Sequence, residues 1–138
     1  MTDKSVFFDT ALFIYALEKG DQKARHLFEK YLPTHRLCTS VITLMEYAVG
    51  CRKSGCMESW EMFLNFLTDL AFEVIEIDAD IAFQAACIRA EHSAFKGMDA
   101  LQLAAALSRD SEVFCTNDRQ LLSFSEEGMR IELLSGEV

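Results

Sequence analysis

The sequence predicts an α/β fold, a three-layer sandwich in which helices flank a central, mostly parallel sheet of four or five strands. Short apolar or β-branched runs alternate along the chain with longer segments whose apolar residues recur every three or four positions. This alternation is typical of strands joined by amphipathic helices. No hairpin turn of the Asn-Gly kind separates two predicted strands, which favours parallel pairing through helical crossovers.

Five short strands are predicted, at residues 6–8, 37–39, 72–77, 113–116 and 129–134. The first is a compact apolar run that stops at Asp9 and Thr10, a pair suited to capping a helix. Helices are predicted between the strands, at about residues 10–20, 22–31, 41–50, 58–70, 78–94 and 98–109, and a short one opens at residue 121.

Length and composition indicate one compact domain over residues 1–138, because 51% of the residues are hydrophobic and only 25% are charged. The longest apolar run, residues 11–17, is too short to cross a bilayer, and the first residues form neither a basic leader nor an apolar signal segment. We therefore expect no membrane association. The five Cys are odd in number and form no Cys-x-x-Cys motif, so we expect a reducing cytoplasm and buried thiols.

The charge balance sets a condition on any function. Thirteen Lys and Arg stand against 22 Asp and Glu, which gives a net charge of −9 at pH 7. Such a surface works against simple capture of a polyanion such as RNA.

Two acidic residues are expected at one edge of the predicted sheet. Asp9 and Asp118 follow the first and fourth strands, and ligands of open parallel sheets bind outside the carboxyl ends of the strands. Each has a structural alternative: Asp9 is a preferred helix cap, and Asn117-Asp118 has the composition of a turn.

Two further acids belong to helices that would flank this edge. Asp99 has the capping-box spacing to Gln102, so it could be structural. Glu46 is harder to explain locally. It shares a helix face with Ile42 and Val49, so its carboxylate is expected to project from an apolar surface. A carboxylate there needs a proton, a cation or hydrogen-bond donors.

Considered together, the four acids predict a metal site for phosphodiester chemistry. Four carboxylates in one cleft would repel one another and hold protons, and a divalent cation removes the conflict. Mg²⁺ and Mn²⁺ prefer oxygen ligands, which this set supplies.

Four segments resemble, in order, the acidic signatures of PIN domains. They are residues 6–15 (VFFDTALFIY), 39–46 (TSVITLME), 99–106 (DALQLAAA) and 114–118 (FCTND). The likeness extends over about residues 5–134 and is strongest to small stand-alone members that act as VapC-type toxins. It implies an Mg²⁺- or Mn²⁺-dependent endoribonuclease that hydrolyses RNA with metal-activated water. It also implies a homodimer and a small antitoxin partner, encoded beside the toxin, that holds it inactive.

The resemblance also implies roles for particular residues. The residues that match the catalytic, metal-binding acids are Asp9, Glu46, Asp99 and Asp118. Thr116 matches a hydroxyl residue that orients the last carboxylate, Asn117 occupies the edge of the site, and Thr10 is a further supporting residue. The nearest basic residues that could contact RNA are Lys96 and Arg119.

Two alternatives stay open at this point. The chain could be a PIN-like scaffold that binds RNA or a protein partner without cutting, which the net charge favours and the complete acidic set opposes. The apolar stripe on the helix at 58–70 could be a dimer or antitoxin surface or ordinary core; its members are Trp60, Phe63, Leu64, Phe66 and Leu67. A phosphoaspartate enzyme of the haloacid-dehalogenase type is excluded, because Ala11 stands where that motif needs a second Asp.

Overall fold

The computed structural model describes residues 4–126 and 128–135, and its centre is a sheet of five parallel strands. They are β1 (Ser5–Phe8), β2 (Arg36–Ser40), β3 (Glu73–Ile75), β4 (Ser111–Thr116) and β5 (Arg130–Leu133). Their order across the sheet is β3-β2-β1-β4-β5, and all four pairings are parallel. The predicted fold class is confirmed, and every pairing between these strands is parallel.

Helices connect the strands as predicted. They are α1 (Thr10–Phe13), a π-helical turn (Ile14–Glu18), α2 (Gln22–Tyr31), α3 (Val41–Ser54), α4 (Met57–Asp69), α5 (Ala79–Glu91), α6 (Gly97–Ser108) and a 3₁₀ helix (Arg119–Ser123). The prediction that α3 ends near Gly50 is wrong. One Gly inside a helix costs only about 1 kcal/mol, whereas Gly55, at φ 72°, adopts the left-handed conformation that ends α3.

Alternating residues of β1 separate two cores. Val6 and Phe8 pack with α1 to α4 on one face of the sheet, whereas Phe7 packs with α5 and α6 on the other. All three side chains are fully buried. Phe7 also stacks on Phe114 of β4, with the ring centroids 5.1 Å apart. Because β1 is the central strand and is covered on both faces, its carboxyl end is held rigidly.

The apolar stripe of α4 lies mainly in the core. Phe63 and Leu67 are buried, and Trp60 and Phe66 pack against the same cluster. Leu64 is 37% exposed. This distribution supports the core interpretation for four of the five residues and leaves Leu64 at the surface.

The prediction of buried thiols is wrong for two of the five cysteines. Cys38, Cys51 and Cys115 are buried, but Cys56 and Cys87 are exposed. Cys56 lies before the first turn of α4, and Cys87 is on the outer face of α5, since Ala85 and Ile88 on that helix point inward. Within residues 4–126 and 128–135, no helix is long and apolar enough to cross a membrane.

The burial of Phe63 makes it a test of the core. Phe63 stacks on Tyr47 at 4.1 Å and meets Phe13 edge-on at 5.5 Å, so Phe63→Ala should lower the free energy of unfolding by about 3–5 kcal/mol. The matched control is Phe83→Ala, because Phe83 is 73% exposed and its loss should change stability by less than about 0.5 kcal/mol. Urea unfolding measures both, and equal losses would contradict this packing.

Candidate functional site

Asp9 and Asp118 lie where the direction of the chain crossovers reverses. From β1, the chain moves first to β2 and β3 on one side and later to β4 and β5 on the other. In open parallel sheets, the gap between the two strands where this reversal occurs is the usual ligand site. Asp9 and Asp118 follow β1 and β4, and the Asp9 backbone N–H donates to the Cys115 carbonyl at 2.9 Å.

The Asp9 carboxylate is fixed by two uncharged donors. Asp9 Oδ1 accepts from the Thr10 backbone N–H at 2.8 Å, so Asp9 does cap α1, and Oδ2 accepts from Thr116 Oγ1 at 2.8 Å. The pKa of Asp9 is nevertheless raised from 3.8 to about 6, mainly by burial and to a smaller extent by the nearby charges of Asp99 and Glu46. The two hydrogen bonds oppose this shift without cancelling it.

The role expected for Thr116 is corrected by these contacts. A hydroxyl has one proton, and that of Thr116 goes to Asp9 Oδ2 rather than to the Asp118 carboxylate. Thr116 Oγ1 also accepts from the Asp118 backbone N–H at 3.1 Å, and Asp118 Oδ1 accepts from the Gln120 backbone N–H at 2.9 Å. Thr116 therefore orients the first carboxylate and only the backbone of the last.

Glu46 reaches the site from α3. Its Oε1 accepts from Thr10 Oγ1 at 2.6 Å, so Thr10 serves the site through its side chain as well as its backbone. The prediction that Glu46 shares an apolar, buried helix face is only partly confirmed, because Ile42 is buried but Val49 is 43% exposed. Glu46 thus stands at the boundary between the core and solvent, which suits a side chain that must meet a ligand.

Asp99 reaches the site from the opposite layer, in the first turn of α6. The capping-box interpretation is wrong, because the helix begins at Gly97 after the cap residue Lys96, and Gln102 is buried. Burial raises the pKa of Asp99, and the charges of Asp118 and Glu46 add to the shift. The structure therefore places Asp99 and Glu46 close enough to Asp9, and Asp118 and Glu46 close enough to Asp99, to raise the pKa of those two acids.

The remaining predicted residues lie on the rim. Asn117 is exposed, and its Nδ2 donates to the Tyr15 hydroxyl at 3.3 Å. Lys96 is exposed and directly precedes α6. Arg119 is exposed and directly follows Asp118. The positive charge of Lys96 lowers the pKa of Asp99 and so partly offsets its burial. The positions of these residues fit contact with a ligand at the site, and their role stays a prediction.

A comparison with protein families identifies the chain. The model of the PIN domain matches residues 6–127. The chain belongs to the PIN domain family. No curated protein matches the chain.

The solved structures that resemble this PIN domain include chains of toxin–antitoxin complexes. A chain of a toxin–antitoxin complex from Klebsiella pneumoniae is 28% identical, with a TM-score of 0.73 over 91% of this chain and 95% of the other. A chain of DNA-bound VapBC from Salmonella typhimurium is 27% identical, with a TM-score of 0.75 over 95% and 98%. VapC20 of Mycobacterium tuberculosis, a toxin that cleaves the sarcin–ricin loop, is 19% identical, with a TM-score of 0.64 over 80% and 87%.

The donor set of this PIN domain suits a hard cation in an open site. The four acids offer only oxygen ligands. Burial is the main cause of the raised pKa of Asp9 and Asp99, and the neighbouring carboxylates, whose charge a cation would offset, add to it. In the described part of the chain, no group of three or more His, Cys, Asp or Glu side chains is placed to hold one metal ion. Mg²⁺ usually takes one or two carboxylates and completes its shell with water and phosphate, so an open arrangement fits this ion.

Sequence reasoning missed four polar residues of this region. They are Tyr15, Ser40, Thr43 and Gln102. Two of them carried a usable signal. Thr43 precedes Glu46 by three positions, and Gln102 follows Asp99 by three, so each lies one helical turn from an acid on an otherwise apolar helix.

The raised pKa of Asp9 predicts a pH effect on stability. The native state holds this proton more tightly than the unfolded chain, so metal-free wild type should lose stability relative to Asp9→Asn as pH rises from 3.8 to about 6. The relative change should reach up to about 3 kcal/mol, at 1.36 kcal/mol per unit. Urea unfolding in EDTA across this range measures it. The test compares how the free energy of unfolding changes with pH in the two proteins, because hydrogen bonds lost in Asp9→Asn contribute equally at each pH. Parallel pH profiles of the two proteins would contradict a raised pKa of Asp9.

Proposed function

We propose that this PIN domain is an Mg²⁺- or Mn²⁺-dependent endoribonuclease, the toxin of a VapBC-type toxin–antitoxin pair. One observation carries the proposal. Acids that follow two neighbouring strands and acids from the two helix layers face the switch point of the sheet, where Asp9 and Asp99 have raised pKa values. Perturbed acids in such a position are typical of functional sites.

Each part of the chain has a task in this proposal. Asp9, Glu46, Asp99 and Asp118 would hold the ion and are the catalytic acids. Thr10 and Thr116 fix two of the acids by hydrogen bonds, which limits the reorganisation needed when a ligand arrives. When bound, a divalent ion supplies a water of lowered pKa and positive charge at the reacting phosphate.

RNA as the substrate is supported by the family and by the rim of the site. The neighbour VapC20 is a toxin that cleaves an RNA loop. Lys96 and Arg119 are exposed beside Asp99 and Asp118, where they would contact the backbone phosphates of RNA. Bound cations would also reduce the local negative charge that otherwise opposes RNA.

A second candidate is favoured by the net charge of −9. In that case the domain is a PIN-like scaffold that binds RNA or a protein partner and cleaves weakly or not at all. The two candidates differ in their dependence on Asp9, since a scaffold does not need an ionised acid inside its cleft.

Cleavage of total RNA with Mn²⁺ separates the two candidates. Asp9→Asn should slow cleavage by more than about 100-fold, because even groups behind a metal ligand typically contribute 10–100-fold. EDTA should abolish the wild-type activity. The matched control is Asp78→Asn at the cap of α5, where the carboxylate accepts from the Ile81 backbone N–H at 2.8 Å and Asn caps equally well. Equal cleavage by wild type and Asp9→Asn would support the scaffold.

A protein partner completes the proposal, as in the neighbouring toxin–antitoxin complexes, and we propose a homodimer in addition. Exposed apolar side chains of α3 and α4 offer contact surface; they are Met45, Val49, Met57, Met62 and Leu64. Light scattering should give the purified chain twice its mass of 15.6 kDa. The small protein encoded beside it should co-elute and suppress cleavage. A monomer that no co-expressed neighbour inhibits would contradict this part.

A further inference from the structure

A buried chain of hydrogen bonds ends at Glu46. Ser40 Oγ donates to Gln102 Oε1, and Gln102 Nε2 donates to Thr43 Oγ1 at 2.9 Å. Thr43 Oγ1 lies 3.1 Å from Thr10 Oγ1, which donates to Glu46 Oε1 at 2.6 Å. Ser40 and Thr43 are fully buried, Gln102 is 2% exposed and Thr10 is 6% exposed.

The chain of hydrogen bonds has a single direction. Thr10 gives its one proton to the Glu46 carboxylate, so it must accept from Thr43, whose own proton is thereby used. Thr43 must then accept from the Gln102 amide nitrogen, which can only donate. If the amide were reversed, its oxygen would face Thr43 and its nitrogen would face Ser40, and the hydroxyl protons of this chain could no longer fill every bond. The hydrogen bonds therefore assign the orientation of the Gln102 amide.

This hydrogen-bond chain also joins the two helix layers. Gln102 belongs to α6, which carries Asp99, whereas Thr43 belongs to α3, which carries Glu46. Ser40 anchors the amide at the carboxyl end of β2, where its Oγ also accepts from the Ile42 backbone N–H at 3.1 Å. Every buried side-chain nitrogen and oxygen in the described residues has a partner, so a donor removed here leaves others unsatisfied.

We propose that Gln102 is a positioning residue that sets the orientation of the Glu46 carboxylate through Thr43 and Thr10. The inference rests on the proposed function in one respect, namely that Glu46 is among the metal ligands. Gln102 itself is only 2% exposed and would act through Thr43 and Thr10 rather than by contact with the ion. It fixes which hydroxyl donates to which acceptor, and thereby which oxygen of Glu46 stays free for a cation. Partners behind a metal ligand typically contribute 10–100-fold in metal affinity.

A thermodynamic cycle without metal tests the connection itself. Urea unfolding in EDTA is measured for wild type, Gln102→Met, Glu46→Ala and the double variant. Gln102→Met keeps an unbranched side chain of similar length and removes the donor. Residues joined in one network are energetically coupled. The unfolding equilibrium constant of the double variant should therefore differ by about twofold or more from the value obtained by multiplying the effects of the two single variants. Simple multiplication would overturn the proposal.

A second readout separates positioning from loss of stability. The Kd for Mn²⁺, measured by the electron spin resonance of the free ion, should rise by about 10–100-fold in Gln102→Met and Thr43→Val. Thr43→Ser retains the hydroxyl and should restore the affinity. Ser111→Ala is the control, because it removes a buried hydroxyl bond to Ser5, 2.9 Å long, at the amino ends of β1 and β4; it should leave the affinity unchanged.

The two measurements distinguish failure of the inference from failure of the proposed function. If Gln102→Met binds Mn²⁺ as tightly as Ser111→Ala, Gln102 does not position Glu46 for metal and the inference is wrong. If neither wild type nor Asp9→Asn binds Mn²⁺, the proposed function fails, and the metal-free cycle still decides whether Gln102 controls Glu46.

Discussion

The parallel pairing of β1 with β4 is the constraint on which the candidate site depends. It places the ends of the two strands side by side, so that the Asp9 backbone N–H can donate to the Cys115 carbonyl and the Thr116 hydroxyl can reach the Asp9 carboxylate. Because β1 is buried on both faces, neither strand end can move without disturbing two cores. Two helices, α3 and α6, then deliver Glu46 and Asp99 to the same edge from opposite layers.

Two carboxylates of this domain show how structure separates a supporting role from a candidate catalytic one. Glu132 of β5 accepts hydrogen bonds from Tyr31, Lys30 and Arg130. Burial raises the pKa of Glu132, but these partners lower it by more, so that the pKa is lowered overall. Asp9 receives only a backbone amide and a hydroxyl, and its pKa is raised to about 6. Glu132 is thus paired with the cations Lys30 and Arg130, whereas the charged neighbours that act on Asp9 are the acids Asp99 and Glu46. This contrast supports the proposal that a cation binds at the switch point.

Much of the fold followed from local patterns, because the alternation of apolar residues records which side of each element is buried. The bounds of α2 were predicted to the residue, and β1 and β4 ended where Asp9 and Asn117 indicated. Errors arose where the signal was ambiguous. Gly50 looked like the end of α3 although Gly55 has the required backbone conformation. Cys56 and Cys87 looked like core residues, because Cys as a residue type does not reveal which side of a helix it occupies.

The four candidate acids were predicted from sequence, since strand ends of a parallel sheet share one edge and a carboxylate on an apolar helix face needs an explanation. The sequence by itself determined the family, the strand and helix order and the candidate acids. Only the tertiary structure decided that Thr116 donates to Asp9, that Glu132 accepts from one hydroxyl and two cations, and that Gln102 donates to Thr43. The physical reason is that periodicity reports the side to which a residue points, whereas a hydrogen bond depends on which residue of a distant element arrives within 3 Å or so.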